Sequence, residues 1–328
     1  MKKIVIAVDG GGSKTHCVLV NDEGIVLAKK EADGTNHQLC GIQQASSTLC
    51  DLVNSLAEGI GGDVDATIVM GLAGMDFDRD VSLMTGHLKG FIANSPEILN
   101  DIWIALAAGG IQDGYGAVSI CGTGHNTGVL TKDGTRYGIS ALKYPLGNFG
   151  GGNMLAESAL HKAFRSYEKT GEYTSLEASL PVLCNTENME DLLLKIYESN
   201  YEYHRSFGIP RLVDSLAMEG DKICRELLQK FGRTQGEITG RLIVQADLQN
   251  EPVSVVMAGS LYTRRQTDLM IDSFEKSVKE YCPCAILEPL DRPPVLGAAM
   301  LGLRRIHKGL SKKDATQLMA NMDRTLGN

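Results

Sequence analysis

The chain alternates short apolar runs with polar breaks rich in glycine. Lys3–Val8 is an Ile/Val run that predicts a buried strand, and Asp9–Thr15 is a polar glycine turn. His16–Val20 predicts a second strand, Asp22-Glu23-Gly24 a second turn, and Ile25–Lys29 a third strand. The same order then returns. Ala117–Cys121 reads as a strand, Gly122-Thr123-Gly124-His125-Asn126 as a turn, Thr127–Leu130 as a strand, Lys132-Asp133-Gly134 as a turn and Arg136–Ile139 as a strand. Gly10 and Gly122 stand 112 positions apart, and Gly24 and Gly134 stand 110 apart. A near-constant offset is an internal repeat. Two copies are too few for a solenoid, so two similar domains facing each other across a cleft are expected.

Between the repeats, helical and strand periods alternate. Ile42–Ile60 is helical in pattern, with Leu49, Leu52, Val53 and Leu56 on one stripe. Ala66–Leu72 predicts a strand ending in Gly71-Leu72-Ala73-Gly74, and Asp80–Leu88 a helix. Glu97–Leu99 predicts a short strand from which Asn100-Asp101 leads into a helix, Ile102–Ala108, stopped by Gly109-Gly110. This alternation defines an α/β class. Residues 153–249 are mainly helical in pattern: Met154, Leu155, Ala159, Ala163, Phe164 and Tyr167 form one stripe, and Leu192, Leu193, Ile196 and Tyr197 another. Val253–Ala258 predicts a buried strand ending at Gly259-Ser260, Leu269–Val278 a helix, and Pro294–Leu303 a helix of small residues. The tail after His307 is polar and predicts nothing definite.

Composition narrows the function classes. A length of 328 residues suggests two domains, divided at 1–115 and 116–328, the second carrying a helical insertion. The helix at 294–306 is expected to return to the first domain. A net charge of −8 argues against a nucleic-acid partner held through phosphates and against an anionic membrane surface. A content of 43% hydrophobic and 22% charged residues is that of a folded globular chain. No apolar run reaches the roughly 18 residues of a membrane helix, and Ile4–Val8 is too short for a signal core, so a cytoplasmic protein is expected. The eight cysteines then stay reduced, and they include no CxxC pair. Glycine is the outlier, at 37 residues, which points to tight turns and close backbone approaches.

The richest candidate for chemistry is the run Asp9, Gly10, Gly11, Gly12, Ser13, Lys14, Thr15, directly after a strand. Bare backbone amides can approach phosphate oxygens, Ser13 and Thr15 add hydroxyls, and Lys14 adds charge. Asp9 suits Mg²⁺, held through water. The run is neither a Walker A loop nor GxGxxG, and a strand follows it where both of those open a helix. A plain hairpin turn is the competing reading. Gly122, Thr123 and Gly124 form a second glycine turn at the repeat-equivalent place, a second phosphate clamp if the first is one, with His125 read as a loop residue. Asp101 is a candidate general base; a helix N-cap is its other reading, and the two roles can coexist. Asn36, in Gly34-Thr35-Asn36-His37, is either a sugar contact or a turn residue. Gly147-Asn148-Phe149-Gly150-Gly151-Gly152 is either a ligand loop or a flexible helix entry.

Together these pieces resemble one family. DGGGSKT at 9–15, GTNH at 34–37, GLAGMD at 71–76, ND at 100–101, CGTGHN at 121–126 and PPVLGAAMLG at 293–302 run in the order of the N-acetylglucosamine kinase / BadF-BadG-BcrA-BcrD ATPases, over about residues 1–306. These belong to the sugar kinase, actin and chaperone ATPase superfamily. The resemblance implies two RNase-H-like domains around an ATP cleft, closure on substrate, Mg²⁺ and a homodimer. It places Ser13 and Thr123 at the phosphates, Gly259 and Ser260 near the adenosine, Asn36 and Asn148 at the sugar, and Asp101 as the base. The family's N-acetylglucosamine kinases carry Gly-Asp-Glu-Gly-Ser after a Trp-Gly pair. Here the aligned stretch is Gly147-Asn148-Phe149-Gly150-Gly151, and the sole tryptophan is Trp103. The expected activity is ATP-dependent phosphorylation of an amino-sugar hydroxyl, on N-acetylglucosamine, glucosamine or a related sugar. Two other readings stay open. One is a 2-hydroxyacyl-CoA dehydratase activator, since Cys121 precedes the second glycine turn; the other is a non-catalytic sugar sensor. For the sensor, a start at the first strand leaves no room for a helix-turn-helix ahead of it.

Overall fold

The computed structural model describes residues 2–58, 64–90, 92, 94–109, 115–200 and 208–327. The predicted ends at Ile60 and Gly110 lie outside the described residues. The chain forms two compact units: 1–118, 130–135 and 290–328; and 119–129 with 136–289.

In chain order the elements are β1 (Lys2–Gly10), β2 (Lys14–Asn21), β3 (Val26–Asp33), α1 (His37–Cys40), α2 (Ile42–Ala57), β4 (Val64–Leu72), α3 (Asp78–Leu88), β5 (Glu97–Asn100) and α4 (Asp101–Ala108). Then come β6 (Gly116–Cys121), β7 (His125–Leu130), β8 (Arg136–Gly138), a 3-10 turn (Tyr144–Leu146), α5 (Gly152–Tyr167), α6 (Leu176–Leu183), α7 (Met189–Glu198), α8 (Ile209–Met218) and α9 (Lys222–Gln245). The chain closes with β9 (Ser254–Ala258), α10 (Ser260–Thr263), α11 (Leu269–Tyr281), β10 (Ile286–Pro289), α12 (Val295–Ile306) and α13 (Lys312–Leu326).

The two sheets have strand orders β3-β2-β1-β4-β5 and β8-β7-β6-β9-β10. Renumbered from its first strand, the second order is the same as the first. The sequence repeat is thus a repeat of connectivity. In the first sheet β1 pairs antiparallel with β2 and parallel with β4, and β4 pairs parallel with β5. Parallel neighbours need crossover helices; α2 and α3 serve here and cover one face of β1, while α4, α12 and α13 cover the other, which explains its unbroken apolar run. Ile4, Ile6 and Val8 pack with Leu49, Val53 and Leu56 of α2 and Met84 of α3. Val5 and Ala7 pack with Ile104 of α4, Leu296, Ala299 and Leu303 of α12, and Met319 and Met322 of α13.

Several boundaries differ from the sequence reading. The first glycine turn is only three residues long, because pairing continues through Asp9↔His16 and Gly10↔Thr15. The tail that predicted nothing is α13, N-capped by Ser311, with Ala315, Leu318, Met319 and Met322 buried. Polar residues on its outer face hide an apolar stripe at helical spacing. In α7, Leu192 and Ile196 are buried, while Leu193 and Tyr197 of the predicted stripe are exposed. Tyr167 of the α5 stripe is exposed too.

Helices α12 and α4 approach closely at Gly297. A Cβ there would lie 1.8 Å from the Ile104 carbonyl oxygen and 2.6 Å from the Ala108 nitrogen. Gly297→Ala must therefore push the helices apart, at a cost of about 1–3 kcal/mol. The expected result is a melting temperature several degrees lower. Gly86→Ala in α3 meets nothing within 4 Å and is expected to be neutral or stabilising by thermal melt. Equal effects at the two positions would refute the close approach.

Candidate active site

Within the first unit, four predicted segments converge. Asp9 ends β1. The carbonyl of Gly11 accepts from the backbone nitrogens of Thr35 (3.0 Å) and Asn36 (3.3 Å), and the carbonyl of Gly10 accepts from Ala73 nitrogen (2.8 Å). The first glycine loop is thereby tied to the 34–36 and 71–76 segments. At Gly10 a Cβ would lie 2.4 Å from Thr35 Oγ1 and 2.6 Å from Leu72, so only glycine fits. Gly12 and Ser13 are exposed at the tip, and Gly11 is half-buried.

Thr15 of this loop is placed differently from expectation. Thr15 is fully buried; its hydroxyl donates to the Asp33 carbonyl (2.8 Å) and pairs with Thr35 Oγ1 (2.9 Å). It braces the loop from the core side and offers no hydroxyl to a phosphate. Strand parity explains this: Thr15 shares its face with Cys17 and Leu19, which sit in the α2-side core. Lys14 is exposed and its ammonium lies 3.8 Å from Glu31.

Asn36 caps α1, its Oδ1 accepting from Gln38 nitrogen (2.9 Å). Asn100 caps α4 in the same way through Ile102 nitrogen (3.2 Å). The N-cap reading of Asp101 is therefore corrected: Asn100 does that work, and Asp101 is the first residue of α4. The backbone N–H groups of Asp101 and Ile102 reach its carboxylate as well. Burial pushes Asp101 up to about 6, aided by the charge of Asp76 and opposed by backbone N–H groups at the helix start. Burial pushes Asp9 up to about 7, with the charge of Asp101 adding to it. Burial and like charge thus act together on two neighbouring carboxylates, and both favour the protonated form.

The second unit gathers the other predicted segments. Gly122 and Thr123 carbonyls accept from the nitrogens of Gly152 (2.8 Å) and Asn153 (3.1 Å), which ties the second glycine turn to the start of α5. Thr123 and Gly124 are exposed. Gly259 lies against the Cys121 backbone, and Ser260 opens α10. Segments 121–124, 147–152 and 259–260 therefore meet.

His125 is no loop residue: it opens β7 and is buried. Beneath the turn runs a polar chain absent from the sequence reading. Ser119 Oγ lies 3.2 Å from His125 Nε2 and 3.0 Å from Tyr262 Oη. The Tyr262 hydroxyl donates to Gln235 Oε1 (2.7 Å), and Gln235 Nε2 donates to Cys121 Sγ (3.2 Å). Burial pushes His125 down to about 4, so the imidazole is neutral, and pushes the Cys121 thiol up to about 11. Asn148 is also turned inward. Its Nδ2 donates to the carbonyls of His125 (3.0 Å) and Leu142 (3.1 Å), and its Oδ1 lies 3.3 Å from His125 Nδ1. This corrects the sugar-binding expectation for Asn148, whose amide is spent on the protein.

Among the described residues, no group of three or more His, Cys, Asp and Glu side chains could hold a metal ion, and no helix is long and apolar enough to cross a membrane. A cavity of about 880 Å³ lined by Lys2, Lys3, Lys29 and Lys30 among others sits at the other end of β1 from Asp9 and is lined by none of the candidate site residues.

Duplicated five-stranded sheets with glycine turns after their first strands define the α/β fold of the sugar-kinase, actin and hexokinase type. The chain is similar over 92% of its length to 98% of a solved structure from Chromobacterium violaceum, a candidate N-acetylglucosamine kinase, with a TM-score of 0.67 at 19% identity. The chain belongs to the BadF/BadG/BcrA/BcrD ATPase family, whose sequence profile matches residues 6–302. It is 25% identical over 303 residues to the N-acetylmuramic acid/N-acetylglucosamine kinase of Clostridium acetobutylicum, covering 91% of this chain and 98% of that one. It is also 25% identical over 315 residues to the N-acetyl-D-glucosamine kinase of Dictyostelium discoideum, covering 92% and 98%.

Proposed function

We propose that the protein is an ATP-dependent kinase for an amino sugar, with Asp101 as general base. The observation that carries this is the position of Asp101: first residue of α4, directly after the Asn100 cap, and poised near 6 by its surroundings. A base of that pKa is ionised at neutral pH yet still basic enough to take a hydroxyl proton. The names of the two curated relatives support an N-acetylated amino sugar.

In this reading Asn36 Nδ2 donates to the sugar while its Oδ1 holds α1. An Asp101 oxygen takes the proton of the acceptor hydroxyl as the hydroxyl's own oxygen bonds to the γ-phosphorus. The bond from phosphorus to the bridging oxygen breaks, and ADP carries away its electron pair. In the first unit the amides of Gly12 and Ser13 are the donors for phosphate oxygens, the Gly11 N–H being spent on the Lys14 carbonyl (2.9 Å); in the second, the amides of Thr123 and Gly124 with the Thr123 hydroxyl have the same part. Gly259 and Ser260 lie where the adenosine would sit. Asp9 is the residue that would hold Mg²⁺ through water, and the ion when bound neutralises phosphate charge. Lys14, exposed beside the loop, adds positive charge for the phosphates, while Thr15 and Asn148 have no direct role. A cytoplasmic homodimer completes the proposal.

The test is ADP formation from Mg-ATP with N-acetylglucosamine, glucosamine, N-acetylmannosamine, N-acetylmuramic acid, glucose or no sugar. One amino sugar is expected to stimulate turnover well above the sugar-free rate. Equal rates with and without sugar, or no ADP in any arm, would refute the kinase reading.

A further inference from the structure

Asp76 closes the GLAGMD segment and has no part in the chemistry above. Its two carboxylate oxygens are divided between two amides. Oδ1 accepts from Asn100 Nδ2 (3.0 Å), and Oδ2 accepts from Gln38 Nε2 (2.9 Å). Each amide also donates to the Asp76 segment's backbone, Asn100 to the Met75 carbonyl (3.2 Å) and Gln38 to the Gly74 carbonyl (3.2 Å). Asn100 caps the helix that Asp101 begins, and Gln38 nitrogen is held by Asn36 Oδ1. One carboxylate therefore joins the segment bearing the base to the segment bearing Asn36.

We propose that Asp76 is a positioning residue that fixes Asp101 and Asn36 in one frame, so that sugar and base are aligned together; this rests on the kinase reading. A carboxylate is the one side chain of this size that can accept on both sides. Asn at 76 can accept from one amide and must present N–H to the other. A displacement on the scale of 1 Å at a reacting group costs about 100-fold in rate. The charge of Asp76 also acts on Asp101, raising it, and burial in turn holds Asp76 above its usual range.

The bond pattern allows a swap. In Asp76→Asn with Gln38→Glu, the amide oxygen now at position 76 accepts from Asn100, while its nitrogen donates to the carboxylate introduced at position 38. The bridge between positions 38, 76 and 100 re-forms with its charge moved across one hydrogen bond, while the bond from position 38 to the Gly74 carbonyl is lost. Asp76→Asn is expected to lower kcat and raise KM for the sugar, together about 10- to 100-fold in kcat/KM. KM for ATP should stay within about twofold of wild type, since the glycine loop is held to the 34–36 and 71–76 segments by backbone hydrogen bonds that the Asp76 side chain does not make. The double variant should recover about tenfold, while Gln38→Glu alone, facing Asp76, should be worse than the double. Sugar binding without ATP, read by the fluorescence of Trp103 on α4, should weaken and recover in step. Wild-type kinetics in Asp76→Asn, a loss the double does not relieve, or an equal rise in KM for ATP would each overturn the proposal. A wild type that turns over no sugar overturns the kinase reading instead. In that case, or if Asp76→Asn does not fold, the thermal stability of the double variant decides: recovery supports the clamp and no recovery refutes it.

Discussion

Asp101→Asn is expected to lower kcat for sugar-stimulated ADP formation by about 10²- to 10⁴-fold, the usual contribution of a positioned general base. The amide keeps the size of the carboxylate and most of its hydrogen bonding but cannot take a proton, so KM for the sugar should change little. The wild-type kcat/KM should fall on the acid side with an apparent pKa near 6, because the base works deprotonated and its pKa is about 6. The same substitution should raise the melting temperature of the ligand-free protein at pH 8. A carboxyl whose folded pKa lies above its unfolded value near 3.8 stabilises the fold below that value and loses this contribution as pH rises through about 6. The gain should therefore be small at pH 4 and full at pH 8. An unchanged kcat in a sugar-saturated assay of the variant, or a flat acid limb in the wild type, would remove Asp101 from the role of base.

Much of this arrangement is legible in the sequence because local pattern and global fold agree. The 112-residue offset between Gly10 and Gly122 appears in space as two sheets of one connectivity. Buried parallel strands must be apolar throughout, so Ile4–Val8 and Val255–Ala258 declare themselves. Asp101 after an Asn, at a strand-to-helix junction, is equally visible, though which of the two caps the helix is decided by backbone geometry. What escaped are side-chain directions. Thr15 reads as a hydroxyl donor in a polar turn, yet pairing of Gly10 with Thr15 extends the strand and turns that hydroxyl to the core. Asn148 occupies a ligand-like glycine stretch, yet long-range bonds to His125 fold it inward. The Ser119–His125–Tyr262–Gln235 chain joins residues up to 143 positions apart and has no local signature. The helix α13 did have one, since Ala315, Leu318, Met319 and Met322 fall on one stripe, masked by the polar residues between them.

Asp9→Asn should act on stability and catalysis in opposite directions. Asp9 is poorly solvated at the end of β1, and the charge of Asp101 adds to the cost of ionising it, so its pKa is about 7 against 3.8 for the ordinary side chain. At about 1.36 kcal/mol per unit, this destabilises the ligand-free protein above pH 7 by at most about 4 kcal/mol. The sign follows from the raised pKa: the stabilising, protonated form prevails below 3.8 and is lost as pH climbs through about 7. Asp9→Asn removes that loss, so its advantage in melting temperature should be absent near pH 4, grow through neutrality and level off at pH 8. In the proposed reading Mg²⁺ with nucleotide would offer the wild type another remedy, since a cation held beside the ionised carboxylate would offset both the burial and the Asp101 charge. Mg-ATP should therefore raise the wild-type melting temperature more at pH 8 than at pH 5.5, and do so much less in Asp9→Asn. Catalysis should fall by about 10²-fold or more in kcat/KM for Mg-ATP, because the neutral amide is a poor partner for the ion's water shell. Parallel melting curves for the two proteins at every pH would show that Asp9 carries no buried charge. Equal Mg-ATP shifts would show that the ion is held elsewhere.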